Sequence, residues 1–357
     1  MIDFLNDETQ VLLNPRMPDD DRRAFERLAD EVPSLRAHVL IASSGTTGAL
    51  RLVALSKQAI LNSARAVNAH LDATSNDTWA CVLPTFHVGG LGIYARAMLT
   101  KSRVVSLDWD ARQFVRTATT ERVTLSSLVP AQVRDLIALN ENAPRSMRAI
   151  VVGGGATTHD LYAAARERGW PVLPSFGMTE ACSQIATAKG DSEELHLLSH
   201  ITARTEDDQR LAFRGSSVLT GYASFDERNR AVFVDPKVDG WFLSEDRGEV
   251  QGDVLRPLGR ASAFVKIGGE SVDLARLDAI LDSVCDSADA AIVAVPDDRL
   301  GHVIHLATVT GEVDEVVRSF NARVLPFERI RAVRRVTAIP RSPLGKLLRP
   351  RLLAELQ

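Results

Sequence analysis

Between Val39 and Thr187 the chain alternates short apolar runs with amphipathic segments. Residues 79–83, 103–107, 125–129, 149–152 and 172–174 are short apolar runs and read as strands. The stretches between them, residues 113–120, 132–140 and 160–169, carry apolar positions at helical spacing, as does the longer segment 56–71. Strand and helix in alternation predict βαβ units and a mostly parallel sheet with helices on its faces. From His200 to Val254 the texture changes. Short alternating runs at 212–214, 231–234 and 248–251 lie between Gly/Asp turns, which predicts an antiparallel, partly barrel-like piece. Beyond Gly259-Arg260 it changes again. A helix is expected over 272–281, strands over 290–295 and 305–309, and a helix over 313–325. The chain therefore reads as an α/β protein with a large domain, residues 1–260, and a small α+β domain, residues 261–357. No internal repeat or low-complexity segment interrupts it.

Composition narrows the class. The 357 residues are 45% hydrophobic and 25% charged, as in ordinary globular proteins. A net charge of -4 with interspersed signs gives no footprint for nucleic acid. Cys81, Cys182 and Cys285 form no CxxC or Cys/His cluster and read as reduced thiols. The first 22 residues are polar and acidic, without a signal peptide's basic and apolar regions. No apolar run approaches the ~18 residues of a membrane span. A cytoplasmic protein without stable membrane insertion is expected, and the sequence leaves room for a homodimer.

Seven sets of residues carry candidate chemistry. Ser43-Ser44-Gly45-Thr46-Thr47-Gly48 follows the apolar run Val39-Leu40-Ile41. Its glycines let the backbone approach a phosphate, and consecutive N–H groups can form an anion nest, although a plain Ser/Gly/Thr turn would look the same. It is not a Walker A loop, since no lysine closes it. His87 precedes the glycine pair Gly89-Gly90 and could line a pocket. Gly153-Gly154-Gly155 follows a strand and offers bare backbone to a planar base. Ser175-Phe176-Gly177-Met178-Thr179-Glu180 supplies an aromatic face, a hydroxyl and a carboxylate, the last two being hard oxygen donors suited to Mg2+. Asp246 and Arg260 put an acid and a base at the end of the large domain, where an acid can hold the hydroxyls of a ribose. Lys266-Ile267-Gly268-Gly269-Glu270 and Pro343-Leu344-Gly345-Lys346 place lysines on glycine turns.

Each segment alone has an ordinary structural explanation. Taken in order, they resemble the signature set of the adenylate-forming superfamily of acyl-CoA ligases, adenylation domains and luciferases. The resemblance runs from about residue 40 to the end. It implies a phosphate loop at Ser43 to Gly48 and an adenine and magnesium motif at Phe176 to Glu180, with Gly153 to Gly155 also at the adenine. Asp246 and Arg260 would fix the ribose, the latter at a hinge that includes Ser262. Lys266, Gly268, Gly269 and Glu270 would form a loop for the second half-reaction, and Lys346 would be the catalytic lysine. The runs around His87 and Ser175 to Gln184 are most similar to those of the o-succinylbenzoate–CoA ligase group, which serves menaquinone biosynthesis. Another aryl or medium-chain acid stays open, and so does an inactive nucleotide-binding scaffold.

The resemblance further implies ATP, Mg2+ and coenzyme A as reactants and two half-reactions. The acid first forms an acyl-adenylate with release of pyrophosphate; the small domain then rotates and the CoA thiol attacks. Thr179 would contact the α-phosphate and Glu180 would hold Mg2+. His87, Gly89, Gly90, Ser175 and Ser183 would line the acid pocket. A second carboxylate on the acid would need backbone N–H groups, Ser183 or an arginine such as Arg96. Two residues depart from the family pattern: Ser262 replaces an acidic residue after the hinge arginine, and Glu245 replaces a glycine before Asp246. Only about 40 residues precede the loop, so part of the usual first subdomain is expected to be missing or reduced.

Overall fold

The computed structural model describes residues 2–356 apart from residues 16, 18, 33–34, 45–49, 261–263, 268–269, 286–287, 298–299, 310, 312 and 343–344. Two compact units are present: residues 1–244 with 248–257, and residues 245–247 with 258–357.

The first unit is built on a parallel core. Strands run Arg103–Ser106, Thr78–Cys81, Leu125–Leu128, Ala149–Val152 and Val172–Met178 across the sheet, all parallel. Every residue of Thr78–Cys81, Leu125–Leu128 and Ala149–Val152 is buried, as expected where helices cover both faces of a sheet. The helices start where the sequence supplies caps. Asp110, Thr158 and Ser56 each accept a hydrogen bond from the backbone N–H three residues on, opening Ala111–Thr120, His159–Glu167 and Lys57–His70. Ser183–Thr187 then turns back antiparallel to Val172–Met178, and five further strands complete an eleven-stranded sheet.

A second sheet was only partly foreseeable. Gln10–Leu12, His38–Ser44, Leu50–Ser56, Gly221–Phe225 and Ala231–Val234 form five strands in that order. Sequence reading leaves residues 50–55 unassigned, yet they pair antiparallel with His38–Ser44. The short strands expected over 200–254 form, but two sheets share them. Ile201–Thr205 and Arg210–Gly215 extend the large sheet, whereas Gly221–Phe225 pairs onto Leu50–Ser56 and Ala231–Val234 onto Gly221–Phe225. The reason is burial: Leu52, Ala54 and Ala223 close over Phe25 and Leu28 of the helix Asp19–Glu31.

In the second unit, Phe264–Ile267 pairs with Glu270–Asp273, and the helix Leu274–Asp282 follows. The helix expected from residue 272 starts two residues later because Val272 pairs with Val265 as a strand. Asp273 then caps it, its carboxylate accepting from the Ala275 N–H at 2.8 Å. Ala290–Asp297, Gly301–Thr308 and Ile330–Arg335 form a three-stranded sheet. Its core holds Leu277, Ile292, Ile304, Leu306 and Phe320. Among the described residues no helix is long and apolar enough to cross a membrane.

Candidate active site

Ligands of parallel sheets gather outside the carboxyl ends of the strands, and three of the expected segments sit there. Pro84 to Gly90 follows Thr78–Cys81, Gly153 to Gly155 follows Ala149–Val152, and Thr179-Glu180 follows Val172–Met178. The glycines have different reasons to be there. A Cβ on Gly90 would lie 2.4 Å from the carbonyl oxygens of Leu83 and Pro84, so only glycine lets the helix Val88–Thr100 start so close to that turn. Gly153 has no such constraint, its nearest neighbour being the Ser175 carbonyl at 3.7 Å. Gly154 needs its freedom for a φ of +77°. At Gly177 a Cβ would collide with the Ser183 carbonyl, because the strand bulges between Phe176 and Gly177. Ser183 itself holds φ +131° after Cys182 at +59°, a strained pair inside the motif. Phe176 is half-buried, its ring 6.0 Å from that of Phe213.

Glu180 is held by two groups that sequence reading did not find. Its Oε1 accepts from the Tyr222 hydroxyl at 2.9 Å and from Arg51 Nη2 at 3.1 Å. The Arg51 guanidinium also lies 4.3 Å from the Tyr222 ring centroid. The Leu219 N–H donates to the Glu180 carbonyl at 2.7 Å, fixing the backbone. The Glu180 carboxylate, next in sequence to the Thr179 hydroxyl, offers the hard oxygen donors that suit Mg2+.

Beneath the His87 segment lies a buried cation. Arg96, on the helix Val88–Thr100, is 1% exposed. Its guanidinium donates to Ser127 Oγ at 3.3 Å and Ser183 Oγ at 3.4 Å and lies 5.5 Å from the Trp79 ring. Gly92 makes room for it, since a Cβ there would stand 3.0 Å from Arg96 Nη2. Its Nε finds no partner and it pairs with no carboxylate among the described residues. Burial lowers its pKa to about 10, with Cys81 opposing. His200, also unnoticed in the sequence, is buried. Burial and, to a lesser degree, Arg96 bring its pKa down to about 4 against the Gln184 backbone. His87 is lowered by burial too, and its Nε2 has no partner. Arg96 is thus a buried positive charge next to Ser183. Ser175 faces a different network, accepting from Thr187 Oγ1 at 3.1 Å.

Cys81, Cys182 and Cys285 are in no disulfide among the described residues, and burial pushes Cys81 up to about 11 and Cys182 further.

The remaining expected residues end the strand His38–Ser44, belong to the second unit, or lie outside the described residues. Lys346 is exposed, next to Gly345 at φ +76°. Its hairpin is tied by Ser342 N–H to the Lys346 carbonyl at 2.8 Å, Lys346 N–H to Ser342 Oγ at 3.2 Å, and Arg341 Nη1 to the Gly345 carbonyl at 3.0 Å. Asp246 and Arg260 occupy neighbouring strands, Phe242–Gln251 and Val254–Arg260. Strand alternation puts the exposed Glu245 on the face opposite Asp246. Ser43 and Ser44 end the strand His38–Ser44, while Lys266 and Glu270 lie in the paired strands Phe264–Ile267 and Glu270–Asp273. Gly45, Thr46, Thr47, Gly48, Ser262, Gly268 and Gly269 lie outside the described residues.

Known proteins agree with this architecture. The 2-succinylbenzoate–CoA ligase of Bacillus licheniformis is 28% identical over 336 residues, covering 88% of this chain and 70% of that protein. The ligase of the same name from Bacillus velezensis is 28% identical over 333 residues, covering 88% and 68%. Among solved structures, o-succinylbenzoate CoA synthetase (MenE) from Bacillus subtilis in complex with the acyl-adenylate intermediate OSB-AMP superposes with a TM-score of 0.79 at 26% identity, covering 88% of this chain and 68% of that one. The same enzyme with ATP and magnesium ion gives 0.82 at 23% identity, over 96% and 83%, a likeness of fold. The profile of a family described as AMP-binding enzyme matches residues 5–212. That match spans more than half of the sequence, and with the glycine turns and Glu180 at the strand ends it shows that the chain belongs to the AMP-binding enzyme family.

Proposed function

We propose that the chain is an ATP-dependent acid–CoA ligase that converts o-succinylbenzoate, ATP and CoA into o-succinylbenzoyl-CoA, AMP and pyrophosphate for menaquinone biosynthesis. One observation carries the choice of acid. o-Succinylbenzoate has two carboxylates, one to be activated and one to be held, and Arg96 is a buried cation that lacks a carboxylate. A second carboxylate beside Arg96 and Ser183 would complete a charge-assisted pair in a low-dielectric site. The similar ligases from Bacillus species bear the name of this acid.

In the first half-reaction the acid's other carboxylate attacks the α-phosphorus of ATP. The loop from Ser43 to Gly48 would grip the departing pyrophosphate, Thr179 the α-phosphate, and Asp246 with Arg260 the ribose. Phe176 and Gly153 to Gly155 would take the adenine. Magnesium held by Glu180 would neutralise charge on the phosphates. Lys346 would offset the negative charge that builds between carboxylate and phosphate. In the second half-reaction the small domain would turn about the segment containing Ser262, withdraw Lys346 and bring Lys266, Gly268, Gly269 and Glu270 to the site. The CoA thiol then displaces AMP.

Pyrophosphate release with and without CoA tests the reading. Release is expected with o-succinylbenzoate far above benzoate and octanoate. A preference for either monocarboxylate would overturn the assignment of the acid, and no release with any acid would overturn the ligase itself.

A further inference from the structure

Arg51 stands where a metal ion would compete with it. The strands His38–Ser44 and Leu50–Ser56 pair Ser43 with Arg51, and Arg51 comes three residues after the phosphate-loop segment. Across the next strand Tyr222 pairs with Val53 and Ser224 with Arg51. Arg51, Val53 and Tyr222 therefore share one face of the sheet, which explains how the guanidinium comes to lie over the tyrosine ring. Both side chains converge on one oxygen of Glu180, which is 13% exposed. The carboxylate is thus neutralised from within the protein.

Magnesium binds a carboxylate oxygen at about 2.0–2.1 Å. A guanidinium nitrogen donating to the same oxygen would then sit only a few ångströms from a double positive charge. The two cations repel, and Glu180 Oε1 can serve only one of them at full strength. We propose that Arg51 is a positioning residue that occupies Glu180 in the nucleotide-free protein and yields it to the metal. The Tyr222 ring, against which Arg51 already rests, remains as its support after it lets go. Free divalent cation then binds weakly, because it must displace Arg51 unaided. Metal arriving with the phosphates of ATP brings negative charge that repays the displacement, so metal capture is coupled to nucleotide. This inference rests on the reading of Glu180 as the metal-binding carboxylate.

Mn2+ titrated into the nucleotide-free protein, with unbound Mn2+ followed by electron paramagnetic resonance, separates the two claims. Arg51→Met should bind Mn2+ roughly tenfold more tightly than the unaltered protein, since hydrogen bonds to charged groups contribute about 1.5–3 kcal/mol. Arg51→Lys should stay weak, and the double variant Arg51→Met with Glu180→Gln should lose the gain. Arg51→Gln repeats the measurement if Arg51→Met does not fold. Unchanged Mn2+ affinity in both neutral variants overturns the competition, as does a gain that survives Glu180→Gln. The reading of Glu180 is tested separately, with ATP present: there Glu180→Gln alone should weaken Mn2+ binding, and failure to do so would remove the premise.

Discussion

Burying a guanidinium without a carboxylate costs several kcal/mol, and Arg96 offsets part of that cost with two serine hydroxyls and the Trp79 face. Stability and use therefore pull apart at this residue. Arg96→Met keeps the length and removes the charge, so the melting temperature should hold or rise. The KM for o-succinylbenzoate should climb by about 10²-fold, in line with about 2–5 kcal/mol for truncating one partner of a buried charge pair, while the KM for ATP stays put. A fall in melting temperature with unchanged KM would make Arg96 a packing residue. Its proposed part in the site was legible in sequence only as one option among several, because nothing in the run around His87 says which way a helical arginine turns. Arg51 and Tyr222 were not legible at all. They reach Glu180 across 129 and 42 residues of chain, and a contact of that span leaves no local pattern. Glu180, Gly177 and Lys346 were legible because glycine turns and short charged motifs are local features.

At the scale of elements, the parallel strands were readable because their burial on both faces makes them near-continuous apolar runs. Leu50–Ser56 was not, since its apolar positions run directly into the helix Lys57–His70 with only Ser56 between them. The opposite end of the parallel sheet from the site is locked by side chains. Asp77, just before Thr78–Cys81, accepts from Arg148 Nε and Nη2 at 2.9 Å, from Thr124 Oγ1 at 2.7 Å and from the Thr74 N–H at 2.8 Å. Burial alone would raise its pKa, but these donors bring it down to about 2. The folded protein thus favours the ionised form over the unfolded chain, whose aspartate titrates near about 3.9. The stabilisation is complete above pH ~4 and drains away as pH falls toward ~2, in total about 2 kcal/mol. Asp77→Asn should lower stability at pH 7 by about that amount or more and flatten the pH dependence in this window. Chemical denaturation at pH 7, 4 and 3 reads both; a variant that loses stability in parallel with the unaltered protein would place the acid sensitivity elsewhere.

On the scale of the whole molecule, the groups assigned to the chemistry belong to two units. Glu180, Arg96 and His87 lie in the first, Lys346 in the second. Such a division suits a reaction whose two steps need different groups at one carbon. In the first step negative charge accumulates between acid and phosphate, and Lys346 would meet it. In the second, a neutral thiol must reach the same carbonyl, and a lysine there would obstruct it. The Lys346 hairpin is built to present the side chain: Gly345 takes the left-handed turn, and Ser342 and Arg341 bind the backbone on either side. Lys346→Ala should leave that hairpin's backbone bonds intact. Acyl-adenylate formation, followed by pyrophosphate exchange, should fall by about 10²–10³-fold, as for the loss of one preorganised donor. Thioester formation from supplied o-succinylbenzoyl-adenylate and CoA should stay within a few-fold of the unaltered enzyme. Equal losses in both steps would mean that Lys346 serves a single arrangement throughout, and alternation between the units would have to be abandoned.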